Sequence, residues 1–224
     1  MNQRGRLIVF EGGEGSGKTT QIERSHQWLQ QGGWRSSSQA QNWIRIVTTR
    51  EPGGTKLGQG LRQLLLAQTT VEAIQDRAEL LLYAADRAQH VEACLKPLLD
   101  QGALILCDRY TDSTIAYQGY GRGLDLGLIT QLNQIATNGL DSDLTLWLDL
   151  DVEVGLARMR QRGSSDRIEQ ANLAFHQRVR QGFTEIAQRS PQRVVQIDAN
   201  QSEVAVSQQI QAVLTQRLQQ WCNE

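Results

Sequence analysis

Short apolar runs alternate along the chain with longer stretches in which apolar residues recur every three to four positions. Leu7–Phe10, Arg45–Thr49, Leu104–Asp108, Thr145–Asp149 and Val194–Asp198 have the length of strands. Helical periods cover Gly17 to Gln31, Leu57–Leu66, Val71–Leu95, Leu126–Ala136, Asp151 to Arg162, a stretch ending near Gln188, and the C-terminal segment with Ile210, Val213, Leu214, Leu218 and Trp221. Strands separated by helices predict an α/β fold, a five-stranded parallel sheet flanked by helices. Several strands end on a polar residue, as expected where a site lies at the carboxyl edge of such a sheet. Gly32-Gly33 stops the first helix, and Asp151 is placed to cap a later one. Two irregular stretches stand out. The polar segment 33–44 reads as an exposed loop with Trp34 and Trp43 folded back, and Gln118–Gly123 reads as a glycine-rich separator between helices.

Composition narrows the class. The chain has 224 residues, 39% hydrophobic and 21% charged, which suits one globular domain, 1–224, with its own core. A net charge of −1 gives no general attraction to nucleic acid or membrane. No run approaches the roughly 20 apolar residues of a membrane span. Three cysteines without zinc spacing read as reduced thiols in a cytoplasmic protein, with Cys107 a small core residue. The three histidines lie apart, with no ligand spacing.

The first strand runs into Gly12-Gly13-Glu14-Gly15-Ser16-Gly17-Lys18-Thr19, which matches the phosphate-binding pattern G-x-x-x-x-G-K-[ST] in its strand–loop–helix context. Glycines let backbone N–H groups line an anion-binding concavity, and the following helix adds its positive end. Lys18 is a point charge for the outer phosphates, and Thr19 offers a hydroxyl to Mg²⁺. The chain is therefore expected to bind a nucleoside triphosphate. A guanine-reading Asn-Lys-x-Asp is missing, since no Asn precedes a Lys. Spacing alone leaves the other candidates open. Tyr83 passes as core within Leu80–Tyr83, Arg62 as a surface residue, Asp108–Arg109 as a structural pair, and Thr114, Tyr117 and Gln118 as a helix face.

Five segments in order decide between these readings: Phe10–Thr20, Thr49–Thr55, Asp108-Arg109-Tyr110, Ala116–Gly119 and Asp166–Glu169. Through them the chain resembles the thymidylate kinases along nearly its whole length. The resemblance implies a P-loop NTPase fold of the nucleoside monophosphate kinase type and transfer of the γ-phosphoryl group of ATP to dTMP, giving dTDP on the way to dTTP. It implies Mg²⁺ with the ATP, and a homodimer. It places Glu14 at the sugar hydroxyl, Tyr83 stacked on thymine, Arg87 at the base's carbonyl edge, Arg62 and Arg109 on the monophosphate, Thr114 and Gln118 at the base, and Tyr117 under the deoxyribose. Asp108 would act through Mg²⁺ or by orienting Arg109. One class of relatives carries an Arg in the phosphate loop; here that position is Gly15. The resemblance is therefore to the other class, which supplies the charge from a mobile lid at about 158–167. Arg158, Arg160, Arg162 and Arg167 are its candidates. Two alternatives remain: a kinase for another nucleoside monophosphate, and a catalytically inactive ATP-binding regulator.

Overall fold

A computed structural model describes residues 4–33, 45–67, 73–163 and 167–223. In chain order these form β1 (Arg6–Glu11), α1 (Lys18–Gln30), β2 (Ile46–Arg50), α2 (Lys56–Leu66), α3 (Asp76–His90), α4 (Lys96–Asp100), β3 (Leu104–Asp108), α5 (Thr111–Thr114), α6 (Leu126–Thr137), β4 (Leu144–Asp149), α7 (Val152–Arg162), α8 (Leu173–Arg189), β5 (Val194–Asp198) and α9 (Glu203–Cys222). The five strands pair in parallel in the order β2-β3-β1-β4-β5. From β1 the chain winds to one side for β2 and β3, then crosses to the other for β4 and β5. The carboxyl end of β1 thus lies where the winding reverses, the place where open α/β sheets bind ligands.

Strand alternation sorts the core into two layers. Ile8, Phe10, Leu104, Leu106, Leu146 and Leu148 face α1 and α9, packing on Leu29, Ile210, Leu214 and Trp221. Leu7, Val9, Ile105 and Cys107 face the opposite way, onto Val91, Leu95 and Leu99. A third cluster joins Tyr117 and Trp147 to Phe175, Val179 and Phe183 of α8. Because both faces of β1, β3 and β4 are covered, these strands read as nearly continuous apolar runs, whereas the edge strands β2 and β5 are partly exposed and carry polar residues.

Two helical expectations need correction. The helix expected over Val71–Leu95 does not stop at Leu95. It passes through a π turn, Val91–Leu95, into α4, with Lys96 N–H bonded to Val91 O. Pro97 lacks an N–H and sits at the start of α4, where an ordinary α-helical bond would be lost. The start is also later than expected: Ala73–Gln75 are not helical, Gln75 is extended, and α3 begins at Asp76, while Val71 and Glu72 lie outside the described residues. The glycine-rich stretch separates the helices only at its end: Ile115–Gly121 forms continuous π-helical turns, and the chain leaves the helix at Arg122 and Gly123. Its glycines serve close packing: a Cβ on Gly119 would lie 2.5 Å from Leu126 Cδ2, and one on Gly121 2.7 Å from Phe175 Cε2. The break falls after Gly121, ahead of the Asp125 cap that accepts from Leu128 N at 2.7 Å. Asp151 caps α7 as expected, accepting from the N–H groups of Glu153 and Val154. The expectations for Trp34, Trp43 and most of the 33–44 loop fall on residues outside those described.

Candidate active site

The phosphate loop leaves β1 with three glycines at positive φ: Gly12 (143°), Gly15 (67°) and Gly17 (88°). Side chains avoid these conformations, so the motif's glycines are required by backbone shape. Lys18 folds back over the loop, donating Nζ–H to the carbonyls of Gly12 and Gly13, each at 3.0 Å. Burial and the Arg109 guanidinium push its pKa down, while Glu14 and Asp108 oppose them. Thr19 lies exposed on the cleft floor. The loop also touches α7, for Gly15 and Gly155 approach so closely that a Cβ on either would lie 2.4 Å from the other segment's carbonyl oxygen. Gly15, the position where some relatives carry arginine, is thus covered by the start of α7.

A cleft of about 580 Å³ opens in front of this loop, within the usual range for a small-molecule site. It gathers Glu14 to Thr19 from the loop, Arg62, Tyr83, Arg87, Asp108, Arg109, Thr114, Tyr117 and Gln118 from the acceptor candidates, and Arg158 from α7.

Arg109 is held at φ 69°, and its guanidinium turns toward the phosphate loop. It donates to Gly12 O (3.1 Å), Ser113 Oγ (3.1 Å), Glu14 Oε1 (2.6 Å) and Tyr117 Oη (3.0 Å). Its carbon lies 4.8 Å from the Tyr117 ring centroid, a cation–π contact. Tyr117 also donates to Glu14 Oε1 at 2.6 Å. Burial alone would raise the Glu14 pKa, but Arg109, Lys18 and the Tyr117 hydroxyl outweigh it and hold the carboxyl at about 2.

On α3, Tyr83, Asp86, Arg87 and His90 fall at i, i+3, i+4 and i+7, one face of the helix. Arg87 is almost wholly buried. It donates to Glu51 Oε2 (2.8 Å), Thr114 Oγ1 (2.8 Å), Asn133 Oδ1 (2.7 Å) and Tyr110 O (2.9 Å). The same face clamps the loop after β2, whose Glu51–Pro52 bond is cis. Glu51 Oε1 bonds His90 Nδ1 at 2.8 Å, Asp86 Oδ1 accepts from Gly53 N at 3.1 Å, and Arg62 donates to Pro52 O at 3.1 Å. Gln118 donates its amide to Glu79 at 3.0 Å.

The lid candidates separate. Arg158 donates to Gly15 O at 3.4 Å and lines the cleft. Arg160 is exposed and is not among the lining residues. The side chain of Arg162, and Asp166 altogether, lie outside the described residues. Arg167 turns to the acceptor side, donating to Leu65 O at 3.2 Å and to Glu79 Oε2.

Sequence reasoning passed over several residues here. Glu11, fully buried, accepts from Tyr110 N (2.8 Å), Ser113 N (3.1 Å) and Ser113 Oγ (2.6 Å), so it pins the turn that carries Arg109. Burial dominates its titration and carries its pKa up to about 7, against the pull of Arg109. Its only signal was a carboxylate ending an apolar run beside the first glycine. Glu51 lies within the Thr49–Thr55 segment, where the sequence alone assigns it no role. Ala199 and Gln201, just past β5, and Val206 of α9 also line the cleft; nothing but the place of the first two at a strand's carboxyl end could have marked them.

The chain is similar to known proteins over nearly its whole length. Residues 10–210 match the family model described as Thymidylate kinase. A thymidylate kinase from a Cyanothece species is 61% identical over 97% of each chain, and one from Acaryochloris marina is 58% identical over 97% of this chain and 98% of its own. The crystal structure of the thymidylate kinase from Ehrlichia chaffeensis superposes with a TM-score of 0.73 at 35% identity, covering 94% of this chain and 99% of that one. With the matched model spanning most of its length, this chain belongs to the thymidylate kinase family.

Proposed function

We propose that this enzyme, an ATP-dependent kinase that converts dTMP to dTDP, does so with the two nucleotides end to end in the one cleft. The observation that carries the reading is that Arg87 and Arg109 reach the same cavity whose floor is Lys18 and the phosphate loop. In this reading the triphosphate lies on Gly12–Thr19, with its adenine toward Ala199 and Val206. The acceptor base lies against Tyr83, Arg87, Thr114 and Gln118, its sugar against Tyr117 and Glu14, and its phosphate against Arg62 and Arg109. The alternatives of a kinase for another monophosphate and of an inactive regulator lose their support with the family assignment.

Phosphoryl transfer depends on positioning and charge neutralisation. The attacking phosphate oxygen is already anionic, so no general base is required. Lys18 and Arg109, which both donate to Gly12 O, stand side by side where the two phosphate chains meet, Lys18 for the donor and Arg109 for the acceptor. Arg158, the described lid arginine on the cleft, is assigned to the charge that develops between them, while Arg167 is assigned to positioning through Glu79. Arg160 and Arg162 remain candidates in the same helix. Mg²⁺ fits Thr19 and Asp108. The Asp108 Oδ1 atom is buried without a hydrogen-bond partner among the described residues, and Oδ2 is 3.8 Å from Arg50. Among the described residues no group of three or more His, Cys, Asp or Glu forms a cage, which suits an ion held mainly by phosphate oxygens and water. When bound, it would neutralise phosphate charge.

The enzyme is read as one kinase domain acting as a homodimer. Leu57 and Leu64 of α2, Leu81 of α3, and Leu128 and Ile135 of α6 are large exposed apolar residues on helices that contact one another, a surface suited to a second copy. No described helix is long and apolar enough to cross a membrane, and we place the enzyme in the cytoplasm. An ADP-release assay with Mg·ATP and dTMP, dUMP, dCMP, dGMP or thymidine tests the assignment. dTMP should be the best acceptor; equal rates with dCMP would defeat the base assignment, and turnover of thymidine would defeat that of Arg62 and Arg109.

A further inference from the structure

Glu79 stands in the first turn of α3, fully buried, and has so far appeared only as a partner of Gln118 and Arg167. Its two oxygens are divided. Oε1 accepts from Gln118 Nε2 at 3.0 Å, while Oε2 accepts from Arg122 Nη2 at 3.4 Å and from Arg167. Facing two guanidiniums, this carboxylate is an acceptor only. Only the amide nitrogen of Gln118 can therefore face it. The Gln118 carbonyl oxygen must turn the other way, and this side chain lines the cleft.

The neighbours present the opposite polarity. Thr114 Oγ1 already accepts from Arg87, so its own O–H is left to donate. Arg87 gives four N–H groups to Glu51, Thr114, Asn133 and Tyr110, leaving one of its five on Nη2. The pocket thus sets donors beside one oriented acceptor. A pyrimidine-2,4-dione carries an N3–H between two carbonyls, the complementary pattern. Cytosine has a bare N3 and an exocyclic amino group, which mismatches it.

We propose that Glu79 is a positioning residue for base selectivity: it fixes the Gln118 amide so that the carbonyl accepts the N3–H of a pyrimidine dione and opposes the N3 lone pair of cytosine. The inference rests on the assignment of the α3 face to the acceptor base. Glu79 need not touch the substrate. A site built around such hydrogen bonds can reject the mismatched base by about 10⁴-fold or more. That discrimination requires that the amide not flip.

Glu79→Gln is the test, because Arg122 and Arg167 hold the new carbonyl oxygen on their side and leave its amide N–H toward Gln118, which must then flip to accept it. The readout is the ratio of kcat/KM values among dTMP, dUMP and dCMP. The dTMP:dCMP ratio should fall at least about tenfold, while dTMP:dUMP stays constant, since those two share the N3 edge. If the variant loses activity equally on all three, Glu79 is merely structural and the proposal is overturned; an unchanged dTMP:dCMP ratio at full activity overturns it as well. Should Glu79→Gln not fold, Gln118→Met removes the oriented carbonyl and should collapse the same ratio; a preserved ratio there refutes the idea equally. If the parent enzyme itself does not prefer dTMP and dUMP over dCMP, the assignment of the pocket fails before Glu79 is at issue.

Discussion

Gly155 received no role from the sequence, yet the contact between α7 and the phosphate loop makes it a sensitive position. An exposed helical glycine replaced by alanine ordinarily gains about 1 kcal/mol from helix propensity. Here the added Cβ would meet Glu14 O at 2.4 Å, and ordinary contact begins at 3.4 Å. About 1 Å of movement must come from backbone on one side or the other, because the opposing atom is a main-chain carbonyl. Overpacking of this kind costs about 1–3 kcal/mol, so it matches or exceeds the propensity gain. The functional effect should be larger than the thermodynamic one. Displacing the Glu14–Gly15 segment by about 1 Å shifts the groups that position the triphosphate, an error worth on the order of 10²-fold in rate. Gly155→Ala should therefore lower kcat/KM for ATP about 10²-fold and leave Tm level or lower. The Kd for dTMP should weaken as well, because Glu14 is tied to Arg109 and Tyr117 of the acceptor site. A Gly155→Ala enzyme with a raised Tm and turnover within about twofold of the parent would refute the argument.

Other outcomes follow from the same geometry. Arg158→Ala should reduce kcat by about 10³-fold with a small change in KM for ATP, by analogy with arginine fingers; unchanged kcat in steady-state kinetics would remove Arg158 from the reaction. Arg87→Met leaves Glu51 buried without its guanidinium and should cost about 3–5 kcal/mol in urea unfolding, as breaking a buried pair does; a loss below about 1 kcal/mol would show that the pair contributes little. His90 supplies a pH signature. Burial works against its charged form, but the hydrogen bonds it makes to Cys94 and Glu51 outweigh that and carry its pKa up to about 9. A raised histidine pKa means stability fully present below about pH 6.5 and lost as pH rises through about 9. Tm should fall across that window by more than it does in His90→Gln; identical slopes would show that His90 does not titrate in this way.

Much of the framework was legible because its physics is local. The strands were apolar runs of the right length, and the phosphate loop's glycines sit where positive φ is required. Asp151 met its helix as a cap should. Tyr83 and Arg87 share a face because four residues separate them. The remainder depended on what the fold brings together. Pro97 and the Gly119–Gly121 pair look like helix breakers, yet π turns and the close approach of Leu126 and Phe175 accommodate them. Glu11 and Glu79 acquire meaning only from partners about a hundred and about forty residues away. Nothing near Gly155 in the chain announces the carbonyl of Glu14 above it.

The central claim is that donor and acceptor occupy one cleft and face each other across Lys18 and Arg109. The most direct test is inhibition by a single molecule joining adenosine and thymidine through five phosphates. It should compete with both ATP and dTMP and bind far more tightly than either nucleotide alone. Competition with only one of the two substrates, at ordinary nucleotide affinity, would contradict the account.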